Sequence, residues 1–229
     1  MVKAESMFKQ IETLPVTTTI YIVGDIHGEV SKLDQELAKA GFNYQQDVLY
    51  SVGDLIDRGE NCLKGLELIT QPWFKAVKGN HEDMMIQGLC YGDSGMLANW
   101  ILNGGGWYLQ LDRAGQEHVR QLAELAEESM PTIIELQRDD KKFVICHADY
   151  PADSYPAVQE ERLASQILWS RNRIRSVMNS KENLSGISGA DLFIFGHTPI
   201  KEVIWHQNCV WIDTGACYAR QNPLTILQL

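Results

Sequence analysis

The sequence predicts an α/β fold. Short apolar segments rich in β-branched residues alternate with segments of helical periodicity along most of the chain, as in proteins whose sheets and helices form layers. The composition agrees, because 45% of the 229 residues are hydrophobic and 22% are charged, as in ordinary globular proteins. This length fits a single domain with a sizeable core, so we expect one domain over residues 1–229.

The first third of the chain predicts three pairs of a strand and a helix. Each strand is a short apolar segment, and each following helix repeats apolar residues every three to four positions. The predicted strands are residues 18–23, 47–52 and 73–77, and the predicted helices are residues 30–40, 61–70 and 81–89.

The middle of the chain has a different pattern. Residues 91–130 are helical and acidic and are interrupted by Asn and Gly at 103–106. No linker-like stretch flanks them, so we expect a helical cap inserted at about residues 85–130 rather than a second domain. The last part predicts strands at 132–136, 142–146, 191–195, 202–205 and 209–212, and loops at 151–159 and 179–189.

Charge and cysteine content exclude several classes of protein. Thirty acidic residues against twenty basic ones give a formal net charge of −10, which repels nucleic acids and anionic lipids, so we expect neither as a partner. The five cysteines are an odd number without a CxxC pair, and the first residues lack the apolar segment of an export signal. We therefore expect reduced thiols in the cytoplasm of a bacterium, or of its host cell if a phage encodes it. A monomer is the default expectation.

Five predicted strands are followed at once by Asp, His or Asn. Because sites in open α/β sheets form at the carboxyl ends of the strands, we expect these residues to share one pocket. The segments are GDIHG at 24–28, GDLIDRG at 53–59, GNHE at 79–82, HAD at 147–149 and GHT at 196–198.

These residue types predict a site for two metal ions. Imidazole, carboxylate and amide ligands suit Mn, Fe, Zn, Ni or Co better than Ca²⁺. Asp25 and His27 lie two residues apart and point the same way, and Asp54 can bridge two ions. Arg58 follows Asp54 by four residues and can bind phosphate oxygens bidentately. Since paired ions clamp both oxygens of an in-line displacement, the sequence predicts phosphate-ester hydrolysis. The side chains that could complete the second site are Asn80, His147 and His197.

The same segments resemble a known family. GDIHG, GDLIDRG and GNHE, in that order, resemble the PPP-type metallophosphoesterases, the serine/threonine protein phosphatase superfamily. Further segments are similar to its small branch from bacteria and bacteriophage lambda, and the resemblance covers about residues 20–216. They are NGGGW at 103–107, ICHADYP at 145–151, LWSR at 168–171, FIFGHTP at 193–199 and IDTGA at 212–216.

The resemblance implies a fold, an activity and a cofactor. The fold has four layers, with two packed mixed β-sheets flanked by helices. The activity is hydrolysis of phosphoserine and phosphothreonine in phosphoproteins, extending to phosphotyrosine and small phosphomonoesters, by direct attack of a bridging metal-bound hydroxide. The cofactor is two divalent metal ions, usually Mn²⁺, with Fe, Zn, Ni or Co as other possibilities.

The resemblance also implies roles for individual residues. His81 is the acid that protonates the leaving oxygen, Asp57 pairs with it, and Arg58 and Arg171 bind the phosphoryl group. The first metal ion takes Asp25, His27 and Asp54, and the second takes Asp54, Asn80, His147 and His197.

Other interpretations stay open at this point. A symmetrical bis(5'-nucleosyl)-tetraphosphatase has similar segments, although GNHE, HAD and the short chain favour the protein phosphatases. A phosphoprotein-binding module that has lost its activity is a further alternative. Arg171 could belong to a solvated helix face with Arg173 and Arg175, and Tyr155 and Trp169 could lie at the substrate rim or in the core. A thiol-dependent mechanism is excluded at Cys146, because no arginine follows it by six residues.

Overall fold

The structure, a computed structural model, describes residues 8–179 and 184–229. Its ten strands are β1 (Lys9–Thr13), β2 (Ile20–Val23), β3 (Val48–Ser51), β4 (Phe74–Ala76), β5 (Ile133–Arg138), β6 (Lys141–Cys146), β7 (Leu192–Phe195), β8 (Ile204–His206), β9 (Cys209–Trp211) and β10 (Ile226–Gln228), all counted over the described ranges. The α-helices there are α1 (Val30–Ala40), α2 (Cys62–Glu67), α3 (Asn80–Leu89), α4 (Ser94–Leu102), α5 (Arg113–Ser129), α6 (Ala164–Trp169) and α7 (Asn172–Met178). Short 3₁₀ helices lie at Leu68–Thr70, Gly105–Gln110 and Glu160–Leu163.

The strands form two mixed sheets. One sheet has six strands in the order β1-β5-β6-β7-β9-β8, and the other has four in the order β10-β2-β3-β4. Within them, β2, β3 and β4 run parallel, as do β6, β7 and β9, while the remaining pairs include antiparallel ones such as β10 with β2. The predicted α/β class with two mixed sheets is confirmed.

The sheets pack face to face, with helices outside. Along β2, Ile20 and Ile22 point into a core shared with the six-stranded sheet, while Tyr21 and Val23 point outward toward α1 to α5. Alternate side chains of a strand point to opposite faces, so a strand covered on both faces is apolar throughout. A third apolar cluster lies between the six-stranded sheet and helices α6 and α7. The four predicted layers are therefore present.

Some elements differ from the sequence prediction. The sequence pattern misses β1 and β10 and assigns no helix to Ala164–Trp169. Strand β1 (KQIET) is a polar edge strand, which lacks the alternation or apolar run that identifies a strand. Strand β8 begins two residues later than predicted. Residues 180–183 of the predicted loop at 179–189 lie outside the described residues.

Between β4 and β5 the chain forms helices α3, α4 and α5 and one 3₁₀ helix. They pack on the outer face of the four-stranded sheet, where α5 buries Val119, Leu122 and Ala126. This is the region in which the sequence predicts a helical insertion. None of the helices in the described ranges has the length and apolar character needed to cross a membrane.

The fold brings the carboxyl ends of both parallel sets to one place. The His197 N–H, after β7, donates to the Asp25 carboxylate, after β2, at 3.0 Å. His147 Nδ1, after β6, lies 2.8 Å from the carbonyl oxygen of Val52, after β3. These two contacts join the sheets at the side where the motif residues lie.

Candidate metal centre

Asp54 lies between two groups of buried side chains. Its Oδ2 is 3.5 Å from His27 Nε2 and 3.9 Å from His81 Nε2. Its Oδ1 is 3.4 Å from His147 Nε2, and His197 completes that second group. The ligand atoms within each group lie within 4.8 Å of one another, so each group could hold a metal ion. One carboxylate thus contributes an oxygen to each group.

Asn80 belongs with the second group. Its Oδ1 lies 2.9 Å from His147 Nε2 and 2.8 Å from His197 Nδ1, and these two nitrogens are 3.2 Å apart. Ligands about 2.1 Å from a common ion lie about 3.0–3.4 Å apart, so these separations fit a shared cation.

Backbone contacts determine which ring nitrogen of each histidine faces the site. Nδ1 of His27 is 2.7 Å from the Ile56 carbonyl, Nδ1 of His147 bonds the Val52 carbonyl, and His197 hydrogen-bonds the backbone of Trp169. Donation to these acceptors leaves a lone pair on the other nitrogen of each ring.

The charge state of these rings also favours a cation. Burial lowers the pKa of His27 and of His197 to about 3, and it lowers the pKa of His147, so the three rings are neutral near neutral pH. At the second group, two nitrogen lone pairs, an amide oxygen and a carboxylate oxygen converge without a proton between them. Such a set of acceptors is stabilised by a positive ion, so these residues fit a divalent metal.

Asp25 comes to the same site but not into either three-ligand group. It is buried, and burial, followed by Asp213 and then Asp54, raises the pKa of Asp25 well above its ordinary value. Asp213 follows β9, and burial raises its pKa to about 6. Three buried carboxylates this close repel one another and favour a bound cation. The sequence pattern assigns no role to Asp213, which lies in IDTGA, although this residue also follows a strand directly involved in the site.

His81 and Asp57 form a buried pair. His81 Nδ1 lies 2.5 Å from Asp57 Oδ2, which leaves Nε2 facing Asp54. Burial alone would lower the pKa of His81, but the charges of Asp54 and Asp57 and the hydrogen bond to Asp57 outweigh it, so that pKa is raised. A protonated His81 can therefore persist to higher pH than a free histidine, as a general acid requires.

Two tryptophans hold the carboxylate of this pair. Trp100 Nε1 donates to Asp57 at 2.9 Å, and Trp107 Nε1 donates at 2.8 Å. No sequence signal marks Trp100, and Trp107 stands out only as part of the NGGGW segment. With His81, these indoles give the buried Asp57 carboxylate three hydrogen-bond partners, which hold it in place beside His81.

Glu82 shapes the loop that carries Asp54. Its carboxylate accepts the backbone N–H of Asp54 at 2.9 Å, of Leu55 at 2.8 Å and of Gly79 at 3.0 Å. The bond from Gly79 also caps the start of α3. Glu82 lies in the GNHE segment, but the sequence predicts no role for it.

The two predicted phosphate-binding arginines lie beside different ligand groups, Arg58 at the group of His27 and Arg171 at the group of His197. Arg58 donates to His27 Nε2, and its guanidinium lies 5.7 Å from the Tyr218 ring centroid. A cation on His27 competes with Arg58 for that lone pair. Arg171 lies beside His197 in an open cleft of about 610 Å³. The Nε atom of Arg171 is buried and has no hydrogen-bond partner among the described residues.

The structure shows where Trp169, Tyr155 and Cys146 lie relative to the substrate rim and the core. Trp169 is 39% exposed and lines the cleft of Arg171, whereas Tyr155 is buried and donates its hydroxyl to Glu135. Trp169 is therefore at the rim and Tyr155 in the core. Cys146 is buried and its pKa is raised well above the ordinary value by burial, so it stays a thiol.

Residues 18–201 match the family described as calcineurin-like phosphoesterase. The chain belongs to the calcineurin-like phosphoesterases. It is 41% identical over 197 residues to serine/threonine-protein phosphatase 2 of Escherichia coli K12, covering 86% of this chain and 87% of that one. It is 39% identical over 228 residues to serine/threonine-protein phosphatase 1 of Salmonella typhimurium LT2, covering 100% of both. A crystal structure described as a candidate diadenosine tetraphosphatase shares the fold, with a TM-score of 0.64, 19% identity and 96% coverage of each chain.

This calcineurin-like phosphoesterase stores backbone strain at its site. Left-handed backbone is costly for residues other than Gly, at roughly 1 kcal/mol or more each, and such strain concentrates at functional sites. Residues there with φ between 45° and 76° are His27, Asp54, Asp57, Arg58 and His197. The fold therefore orients these side chains toward the site at a cost in folding stability.

In this phosphoesterase we expect Trp107→Phe to lower kcat on a phosphoserine peptide by about tenfold, because Asp57 loses a donor to a buried charge. KM should change little, since Trp107 contacts the Asp57 pair rather than Arg58 or Arg171. Steady-state kinetics measure this. Trp205→Phe, at a side chain 57% exposed on β8, is the matched control. Equal kcat in both variants would contradict the role of Trp107.

Gly196 gives a second prediction about the phosphoesterase site. A Cβ at Gly196 would lie 2.0 Å from Asp25 Oδ1 and 2.5 Å from Val52 Cγ2, so Asp25 must move. We expect Gly196→Ala to weaken metal affinity about tenfold or more, measured by calorimetric titration with Mn²⁺. Gly106→Ala is the control, because nothing lies within 4 Å of a Cβ there. Unchanged affinity in Gly196→Ala would count against Asp25 as a ligand.

Proposed function

We propose that this chain is a metal-dependent protein phosphatase that hydrolyses phosphoserine and phosphothreonine, and also accepts phosphotyrosine and small phosphomonoesters. The observation that carries the proposal is the position of Asp54, whose two oxygens face two separate groups of buried ligands. The two relatives about 40% identical, both named serine/threonine-protein phosphatases, support the choice of substrate.

Six residues are proposed to hold two divalent ions. Asp25, His27 and Asp54 form one set, and Asn80, His147 and His197 join Asp54 in the other. When bound, such ions supply Lewis acidity toward the phosphoryl oxygens and make water nucleophilic near neutral pH. Mn²⁺ is the proposed metal, and the mixed nitrogen and oxygen donors also suit Fe, Zn, Ni or Co.

The remaining side chains are proposed to bind the substrate and deliver a proton. Arg58 and Arg171 supply planar donor pairs for the phosphoryl oxygens. His81 holds a proton at Nε2 for the oxygen of the leaving serine or threonine, which is a poor leaving group without it. Asp57 keeps His81 oriented through Nδ1 at 2.5 Å.

The location and the assembly belong to the same proposal. Cys62, Cys90, Cys146, Cys209 and Cys217 are free, which supports a reducing, cytoplasmic setting. The candidate ligands all come from one chain, which supports a monomer as the active unit.

A substrate panel tests the proposal against its rival, hydrolysis of bis(5'-nucleosyl) tetraphosphates. Protein stripped with a chelator is assayed on a phosphoserine peptide, p-nitrophenyl phosphate and diadenosine tetraphosphate, with and without Mn²⁺. We expect Mn²⁺ to restore turnover of the peptide and of p-nitrophenyl phosphate. Turnover of the tetraphosphate but not the peptide would favour the rival. Bound Mn²⁺ without turnover of any ester would indicate a binding module.

A further inference from the structure

The cleft beside the second ligand group has an unusual charge for this chain. The chain carries thirty acidic residues against twenty basic ones, yet the cleft has no carboxylate in its lining and contains two arginines. Arg171, Arg175, Trp169 and His197 line it, and its other lining residues are uncharged. An anion entering this cleft therefore meets positive charge in an otherwise acidic protein.

The arginines near α7 divide into two sets. Arg173 is buried, and its guanidinium lies 3.5 Å from carboxylate oxygens of both Asp149 and Asp153, which neutralise it. Arg171 and Arg175 lie one helical turn apart, so they share the opposite side and line the cleft. Neither has an ion pair within the described ranges, and Arg175 is exposed.

We propose that Arg175 forms a subsite for a second anionic group of the substrate, an acidic residue two or three positions from the phosphorylated one. The proposal rests on the protein phosphatase function proposed above, in which Arg171 binds the phosphoryl group.

The spacing follows from the helix and the peptide. Four residues of α-helix advance about 6 Å, and an extended peptide advances about 3.3 Å per residue, so one turn of α7 spans two peptide residues. Because the arginine and glutamate side chains are long, the acidic residue could also lie three positions from the phosphoserine. A peptide running in either direction along α7 satisfies this spacing, so the test includes positions on both sides of the phosphoserine.

The test compares phosphoserine peptides that carry a single Glu, a single Lys or only Ala at positions −3, −2, +2 and +3. Peptides with a second phosphoserine at those positions form a separate arm, since a phosphate is also an anion and carries more negative charge than a carboxylate. The proteins are wild type, Arg175→Ala, Arg175→Lys, Arg175→Glu and the control Arg120→Ala. Arg120 is an exposed arginine on α5, which contributes nothing to the cleft.

The measured quantity is the ratio of kcat/KM between the Glu and Ala peptides. We expect about a two- to fivefold preference for Glu at one or two positions in wild type and in Arg120→Ala, shrinking as salt is raised. Arg175→Ala should remove the preference, Arg175→Lys should keep part of it, and Arg175→Glu should favour the Lys peptide. A general structural defect would lower all peptides together and leave the ratio unchanged.

The results that would overturn the proposal are distinguishable from one another. Equal turnover of the Glu and Ala peptides by wild type, or an unchanged preference in Arg175→Ala, would remove the subsite and leave the phosphatase function standing. A preference for peptides with a second phosphoserine, without a preference for Glu, would overturn the acidic residue as the ligand of this subsite and assign a phosphate instead. Failure of wild type to hydrolyse any phosphopeptide would remove both proposals.

Discussion

Replacing Asp54 with Asn is expected to lower kcat/KM by at least about 10³-fold on every substrate, because Asp54 is the one side chain of the described chain present in both metal-holding groups. An amide has a single acceptor oxygen and no charge, so it cannot serve two cations as the carboxylate can. The loss should be similar for p-nitrophenyl phosphate and for a phosphoserine peptide, since both need the same centre. Steady-state kinetics with saturating Mn²⁺ measure it.

The control for this variant is Asp93→Asn. Asp93 caps α4 by accepting the N–H groups of Gly95 and Met96, and Asn caps helices about as well as Asp. This variant makes the same chemical change outside the site and should keep wild-type activity. Turnover by Asp54→Asn within tenfold of wild type would contradict a shared carboxylate.

Replacing His81 with Asn is expected to lower kcat on a phosphoserine peptide by about 10²–10⁴-fold, the usual contribution of a general acid. The loss on p-nitrophenyl phosphate should be much smaller, because nitrophenolate leaves without a proton. Metal content should stay at the wild-type level, since His81 is proposed as the acid and not as a ligand. Kinetics on the two substrates and elemental analysis of the protein measure these effects.

The pH dependence gives an independent check on His81. The protonated ring is the active form, and its pKa is raised by Asp54 and Asp57 against the effect of burial. Wild-type turnover of phosphoserine should fall at high pH as His81 loses its proton, while His81→Asn should lack this fall. His118→Asn, on the exposed histidine 3.0 Å from Glu67, is the control. Equal losses on both substrates would count against His81 as the acid.

The sequence predicts the central strands and the motif residues for one physical reason. Strands such as β2 and β3 are covered on both faces, so they are apolar throughout, and the polar residue that follows them marks the edge of the sheet. Edge strands can still be predicted where they are apolar, as β4 and β8 are, whereas the polar β1 escapes detection and β10 is also missed. The helical bounds of Val30–Ala40 are as predicted, because its apolar residues repeat on one face.

The residues that support the site are harder to predict than the site itself. Trp100 and Trp107 contact Asp57 across 43 and 50 residues of sequence, and no local pattern encodes such a contact. In the sequence, Glu82 resembles any acidic residue in the first turn of a helix. Its hydrogen bonds to the loop that carries Asp54 form only when the chain folds. Sequence spacing places residues on strands and helices, whereas these partners depend on how separate elements pack.

The most direct test of the account is the number and position of the bound ions. A crystal structure of the protein with Mn²⁺, using the anomalous signal of manganese, measures both. We expect two peaks, one on each side of Asp54, with Asp25 and His27 at one and Asn80, His147 and His197 at the other. A single peak, or ions that do not contact Asp54, would contradict the two-metal centre on which the proposed function rests.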